Sequence, residues 1–278
     1  MPTSGLESST HLKPQGKSRV SNPSEFNDKV ALVTGATSGI GRATALQLAN
    51  LGARLVLSGR DEEALAEAEA EAREAGEEVA SIAADVIAES AATDLVQFAI
   101  QRFGRLDVLV NAAGVIGSGT VADTTDDQWS EMMRINVDAP FRLIRAAVPE
   151  LKKGEGSVVN VSSVTGTRAF PGIVAYCVSK AAVDQLTRCA ALELAPDRVR
   201  VNAVNPGVVV SQLHRRGGMD DQAYAAFLEH SKSTHPLGRV GQPDDIADAI
   251  CFLAGPRSGW ITGETLSVDG GRHQTCAR

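Results

Sequence analysis

Tyrosine is nearly missing from this chain, with two residues in 278, and all aromatic residues together make up 4%. A surplus of basic charge is missing too. The formal net charge is -7 and the isoelectric point is near 5.3, which argues against nucleic acid or an anionic membrane as the main partner. No run approaches 18 consecutive apolar residues, so no transmembrane helix is expected. Four cysteines, Cys177, Cys189, Cys251 and Cys276, fall in no CxxC or metal-like spacing. They read as reduced thiols of a cytoplasmic protein, with no metal site. What is present is a core-building share of apolar residues, 43%, enough for one large α/β domain.

Residues 1–27 are rich in Ser, Pro, Gly and Thr and lack apolar periodicity, so a disordered tail is expected there. The tail lacks the apolar core of a secretory signal. Its Lys13, Lys17 and Arg19 leave a mitochondrial address open, although Glu7, Pro14 and Gly16 spoil a basic amphipathic helix. From residue 28 short apolar runs alternate with longer amphipathic ones. Strands are expected at 30–34, 54–58, 79–84, 106–111, 157–162, 199–204 and 265–268, with helices at 39–51, 61–75, 89–103, 126–151, 174–195 and 243–254. This alternation predicts a single-domain α/β fold over 28–278: a Rossmann-type, doubly wound, seven-stranded parallel sheet with helices on both faces. Ligands of such sheets bind beyond the carboxyl ends of the strands.

The first strand runs into Gly35, Thr37, Ser38, Gly39, Ile40 and Gly41, a glycine-rich turn that opens the first helix. Such a turn lets the backbone approach a pyrophosphate and offers it the free N–H groups of a helix start. The second strand ends at Ser58-Gly59-Arg60, where a dinucleotide site usually has a carboxylate for the ribose. A guanidinium attracts a 2′-phosphate, so Ser58 and Arg60 favour NADP(H), with NAD(H) as the alternative if Asp61 does the reading. The third strand ends at Asp85 and Val86, where a short acid meets the adenine or else caps the next helix. The fourth ends in Asn111-Ala112-Ala113-Gly114, small residues against which a flat cofactor can lie; Asn111, Ala112 and Gly114 are candidate contacts.

Tyr176 stands four residues before Lys180, a spacing that puts both side chains on one helix face. Ser163 lies thirteen residues upstream, at the end of the fifth strand, and Asn136 lies in the long helix. Taken singly each has a bland reading: surface decoration, a loop start, a kink. In order with TGATSGIG, NAAG, YCVSK, Asn205-Pro206-Gly207 and the closing Ser267-Val268-Asp269-Gly270-Gly271, they resemble the short-chain dehydrogenase/reductase family in its non-extended branch, over roughly residues 28–272. The close of the chain is similar to that of 3-oxoacyl-carrier-protein reductases. Ala112 replaces the second Asn of the family's NNAG, and Ser211 stands where the family usually has Thr.

The resemblance implies that Tyr176 exchanges a proton with a carbonyl or alcohol oxygen. It implies that Lys180 lowers the tyrosine's pKa and holds the nicotinamide ribose, that Ser163 hydrogen-bonds the substrate oxygen, and that Asn136 holds a water. Tyr176, Lys180, Pro206, Gly207, Val209 and Ser211 are implied cofactor contacts. The activity implied is reduction of a ketone to a secondary alcohol with NADPH. An NAD-linked oxidative alcohol or hydroxysteroid dehydrogenase is the alternative, and a non-catalytic nucleotide sensor a third reading. A homodimer or homotetramer is implied as well. The substrate loops, about 115–121, 164–174 and the lid at about 208–236, look largely apolar, with no Arg or Lys cluster to mark an acidic substrate. Within the lid, His214, Arg215 and Arg216 read as a solvated face, or else as an anion clamp. Cys177 reads as a small apolar residue, not a redox switch.

Overall fold

The computed structural model describes residues 25–76 and 78–276. Seven strands, β1 (Val30–Thr34), β2 (Arg54–Gly59), β3 (Val79–Ala83), β4 (Val108–Asn111), β5 (Ser157–Val161), β6 (Arg200–Pro206) and β7 (Thr265–Val268), form one sheet. Their order is β3-β2-β1-β4-β5-β6-β7 and every pairing is parallel. The order reverses between β1 and β4, which is where a doubly wound sheet opens a crevice.

Strands such as β1 are buried along their whole length, without alternation, because both faces of the sheet are covered. Ala31 and Val33 pack with α1 (Gly39–Asn50), α2 (Glu62–Ala75) and α9 (Pro243–Ala254). Val30 and Leu32, pointing the other way, pack with α3 (Ala91–Phe103), α5 (Ala139–Gly154) and α6 (Val174–Leu194). Two departures from the expected elements bear on the site. The helix expected over 126–151 is α4 (Asp126–Met133) and α5 joined through a π-helical turn, Arg134–Asp138. The lid expected to be loop holds two helices, α7 (Leu213–Arg216) and α8 (Asp221–Thr234).

Of the tail expected over 1–27, positions 1–24 lie outside the described residues. The boundary moves, however. Phe26 is 2% exposed and packs in the core beside Leu51 and Cys251. Its N–H donates to the Leu51 carbonyl at 2.9 Å. A lone aromatic ahead of the first strand is too short a signal to read as core.

Candidate active site

At the carboxyl ends of the strands lies a cavity of about 1000 Å3. One half is walled by the glycine-rich turn. Gly35 has φ +66°, and a Cβ there would sit 2.8 Å from the Ala113 nitrogen, so β1 and β4 meet through bare backbone. A Cβ on Gly41 would run into the Gly35 carbonyl. Ser38 precedes α1 without capping it through its side chain, which leaves the first amides of that helix free to receive an anion. A dinucleotide therefore fits this half: it needs close backbone approach and free amides, and both are built in.

The other half holds the proton-handling groups. Tyr176 and Lys180 are one turn apart on α6, 6% and 5% exposed, with the lysine Nζ 5.7 Å from the tyrosine ring centre. Lys180 donates to the Val161 carbonyl at 2.9 Å, which fixes the ammonium at the end of β5. Ser163, just beyond β5, shares a hydrogen bond with the Tyr176 phenol and accepts one from the Thr165 N–H at 3.1 Å. Burial pushes the phenol up to about 12, with the Ser163 bond working against it. Burial pulls Lys180 down to about 8, opposed by the Asp184 carboxylate one turn further on. In the protein alone, desolvation of the phenolate prevails and Tyr176 keeps its proton.

The family model described as Enoyl-(Acyl carrier protein) reductase matches residues 35–273. The chain is a short-chain dehydrogenase/reductase. A 3-oxoacyl-[acyl-carrier-protein] reductase of Thermotoga maritima is 36% identical, the match covering 87% of this chain and 97% of its own. A 2,5-dichloro-2,5-cyclohexadiene-1,4-diol dehydrogenase of Sphingobium indicum is 37% identical over 87% and 95% of the two chains. The crystal structure of a short-chain dehydrogenase/reductase from Caenorhabditis elegans superposes with a TM-score of 0.86 at 35% identity, covering 90% of this chain and 97% of that one.

Within this short-chain dehydrogenase/reductase most of the expected positions come together. Gly35, Thr37, Ser38, Gly39, Ile40 and Gly41 line the cavity, as do Arg60, Asp85 and Val86. So do Ala112, Gly114, Ser163, Tyr176 and Lys180, and so do Pro206, Gly207, Val209 and Ser211. Asp85 is no helix cap. Its Oδ1 accepts from the Ile87 N–H at 3.3 Å, and α3 starts later, at Ala91.

Three expected positions do not line the cavity. Ser58 is fully buried, its Oγ without a partner among the described residues, and its carbonyl accepts from the Ala36 N–H at 3.0 Å, so it shapes the glycine turn from beneath. Asn111 donates to Asn160 at 2.8 Å between β4 and β5. Asn136 sits in the π-helical turn and clamps Val115: Oδ1 accepts from its N–H and Nδ2 donates to its carbonyl, both at 3.0 Å. Nδ2 also donates to the Ser179 Oγ at 3.0 Å. Among the loop positions, Val115, Ile116, Phe170, Ile173, Leu213 and His214 face the cavity, whereas Val121 is 87% exposed.

Some contributors escaped the sequence reading. Asp184 extends the Tyr176–Lys180 spacing by one more turn and accepts from Asn205 Nδ2 at 3.0 Å. Tyr224 of α8 braces Ser211, donating to its carbonyl at 2.9 Å and accepting from its N–H at 3.0 Å. His235 accepts from the Val208 N–H at 3.1 Å through Nε2 and meets the Ser231 carbonyl at 2.6 Å through Nδ1, which fixes the neutral tautomer with the proton on Nδ1. His214 is not solvated: its ring packs 4.6 Å from that of Phe227, and burial lowers its pKa. Arg272, from the end of the chain, also reaches the cavity.

Proposed function

We propose that this protein is an NADPH-dependent carbonyl reductase that converts a ketone to a secondary alcohol. The observation that carries the cofactor preference is the end of β2. Arg60 lines the cavity and has no partner among the described residues, while Asp61 is occupied as the cap of α2, accepting from the Ala64 N–H at 3.1 Å. A guanidinium free to bind a 2′-phosphate and a carboxylate turned into a helix cap both favour NADPH over NADH.

The nicotinamide cofactor, when bound, supplies the hydride. Tyr176, protonated throughout the neutral range, gives its proton to the carbonyl oxygen as negative charge develops there. Ser163 donates a hydrogen bond to the same oxygen. Lys180 holds positive charge behind both, and Asn136, by clamping Val115, keeps the Gly114 backbone pressed against Lys180. A Cβ on Gly114 would lie 3.3 Å from Asn136 Oδ1 and 3.5 Å from Lys180 Nζ. Asn136 thus acts as a positioning residue, with its expected water-holding role as a second contribution.

A second reading, an NAD-linked alcohol dehydrogenase working oxidatively, draws on the relative named as a cyclic diol dehydrogenase. One experiment separates the readings: turnover of a generic diketone with NADPH and with NADH, in wild type and Arg60→Ala. The expected result is a preference for NADPH that Arg60→Ala reduces about tenfold or more, the scale of a lost charge-assisted contact. A wild type that prefers NADH sinks the Arg60 argument. In the same assay Tyr176→Phe is expected to bind NADPH but lose turnover; full activity would remove Tyr176 as the proton donor, whereas a wild type that binds NADPH without any turnover would leave the nucleotide-sensing reading. The cysteines are free thiols, as a reducing cytoplasm would keep them, and we place the enzyme there.

A further inference from the structure

The substrate half of the cavity holds a cation that its surroundings do not balance. Arg272 lines the cavity and is 8% exposed. Its Nη1 donates to Thr234 Oγ1, its Nε is buried with no partner, and its Nη2 has none among the described residues. Among the described residues no carboxylate pairs with it there. Asp269 is near enough to favour its charge, but the Asp269 oxygens are taken by the Gly271 N–H at 3.0 Å, the His273 N–H at 2.7 Å and the His273 ring at 2.9 Å. A second cation adds to the excess. Arg168 and Arg272 both lie over the Phe170 ring, 5.8 and 5.2 Å from its centre, and Arg168 donates to the Arg272 carbonyl at 2.7 Å. Glu131 also lines the cavity, from α4, but it is exposed and pairs with neither.

This place shares a cavity with the reacting groups. Phe170 lines the cavity and its carbonyl is 3.9 Å from the thiol of Cys177, the residue after Tyr176. Thr165, bonded to Ser163, lines the cavity too and has a buried hydroxyl without a partner among the described residues. A desolvated guanidinium costs free energy unless an anion meets it, and its planar fork suits a carboxylate. The sequence reading found no basic cluster because Arg272 lies far along the chain from the substrate loops.

Resting on the oxidoreductase reading above, we propose that the substrate is an oxo acid: its carboxylate pairs with Arg272 while its carbonyl oxygen faces Tyr176 and Ser163. The test uses 3-, 4- and 5-oxohexanoate and their ethyl esters, reduced by wild type, Arg272→Met and Arg272→Lys with NADPH. Calorimetric binding of hexanoate to each provides a readout that needs no turnover.

In wild type, kcat/KM for at least one acid is expected to exceed that for its ester by about tenfold or more, the scale of a hydrogen bond to a charged group. Arg272→Met is expected to bring that ratio to about one and to weaken hexanoate binding by a similar factor. Arg272→Lys, which keeps the charge but loses the fork, is expected to fall between; it serves if the methionine variant does not fold. Esters turned over as well as acids throughout, or hexanoate bound equally by wild type and variants, would overturn the proposal and leave the reductase reading intact. Hexanoate bound through Arg272 by a protein that reduces no ketone would keep the carboxylate site but overturn the reductase reading, and with it the assignment of an oxo acid as substrate.

Discussion

Lys180 and Tyr176 are moved in opposite directions by one cause. Burial disfavours charge, so the phenol rises to about 12 and the ammonium falls to about 8. For ketone reduction the tyrosine must carry its proton and the lysine its charge. The first condition holds at any working pH, and the second fails as pH rises through about 8. The reduction rate kcat/KM is therefore expected to be level below that value and to decline above it. Asp184, which favours the charged lysine, shifts this limb. Asp184→Asn removes the carboxylate, lowers the lysine pKa further and moves the limb to lower pH. A pH profile of wild type beside Asp184→Asn checks this, and coincident profiles would remove Asp184 from the site. The Tyr176–Lys180 pair was legible in the sequence through its spacing. Asp184 obeys the same spacing but was passed over, because a carboxylate one turn after a lysine is an ordinary surface pair on most helices.

Among the elements, the strands were the most legible, since runs such as Val30–Thr34 are buried on both faces and need no alternation. Helix α8 was not read because its buried face is made by Tyr224, Ser231 and Thr234, all three of them hydroxyl residues, so no apolar stripe marks it. The π-helical turn was invisible for another reason: Asn136 bends its backbone toward Val115 and Ser179, partners distant in sequence. The opposite end of the sheet carries a different device. Asp107, next to β4, accepts from the Val30 N–H at 3.0 Å, from Arg105 Nε at 2.7 Å and Nη2 at 2.6 Å, and from Lys29 at 3.2 Å. Burial raises its pKa, but Arg105, the Val30 amide and Lys29 outweigh that, and the net shift is downward. A lowered carboxylate stabilises the fold above its unfolded value of about 3.9 and loses that contribution as pH falls below it. Asp107→Asn is expected to cost about 1–3 kcal/mol at pH 7 and much less near pH 3. Denaturant unfolding at the two pH values reads this, and an equal cost at both would show that charge is not what Asp107 contributes.

At the scale of the whole molecule, one chain leaves apolar side chains uncovered on the same helix that carries Tyr176. Leu192 and Val178 of α6 are 79% and 40% exposed, fourteen residues apart and hence nearly aligned along one face; Phe141 of α5 is 47% exposed. Isolated exposed leucines are ordinary, but two aligned apolar residues, with the exposed Gln185 between them, on a helix whose inner face holds the reacting groups are suited to a symmetric contact with a second copy. A dimer or tetramer through α5 and α6, the assembly the sequence led us to propose, would stiffen the helix from outside and hold Tyr176 and Lys180 against β5. Leu192→Glu puts a charge at one end of that face, at a solvent-facing position, so it spares the fold of the single chain. Light scattering after gel filtration is expected to give two or four times the 29.1 kDa of one chain for the wild type, and one chain for the variant. Turnover is expected to fall with assembly, since α6 loses its outer support. A wild type that runs as one chain at full activity would show that the sheet and α4 suffice to hold the helix in place.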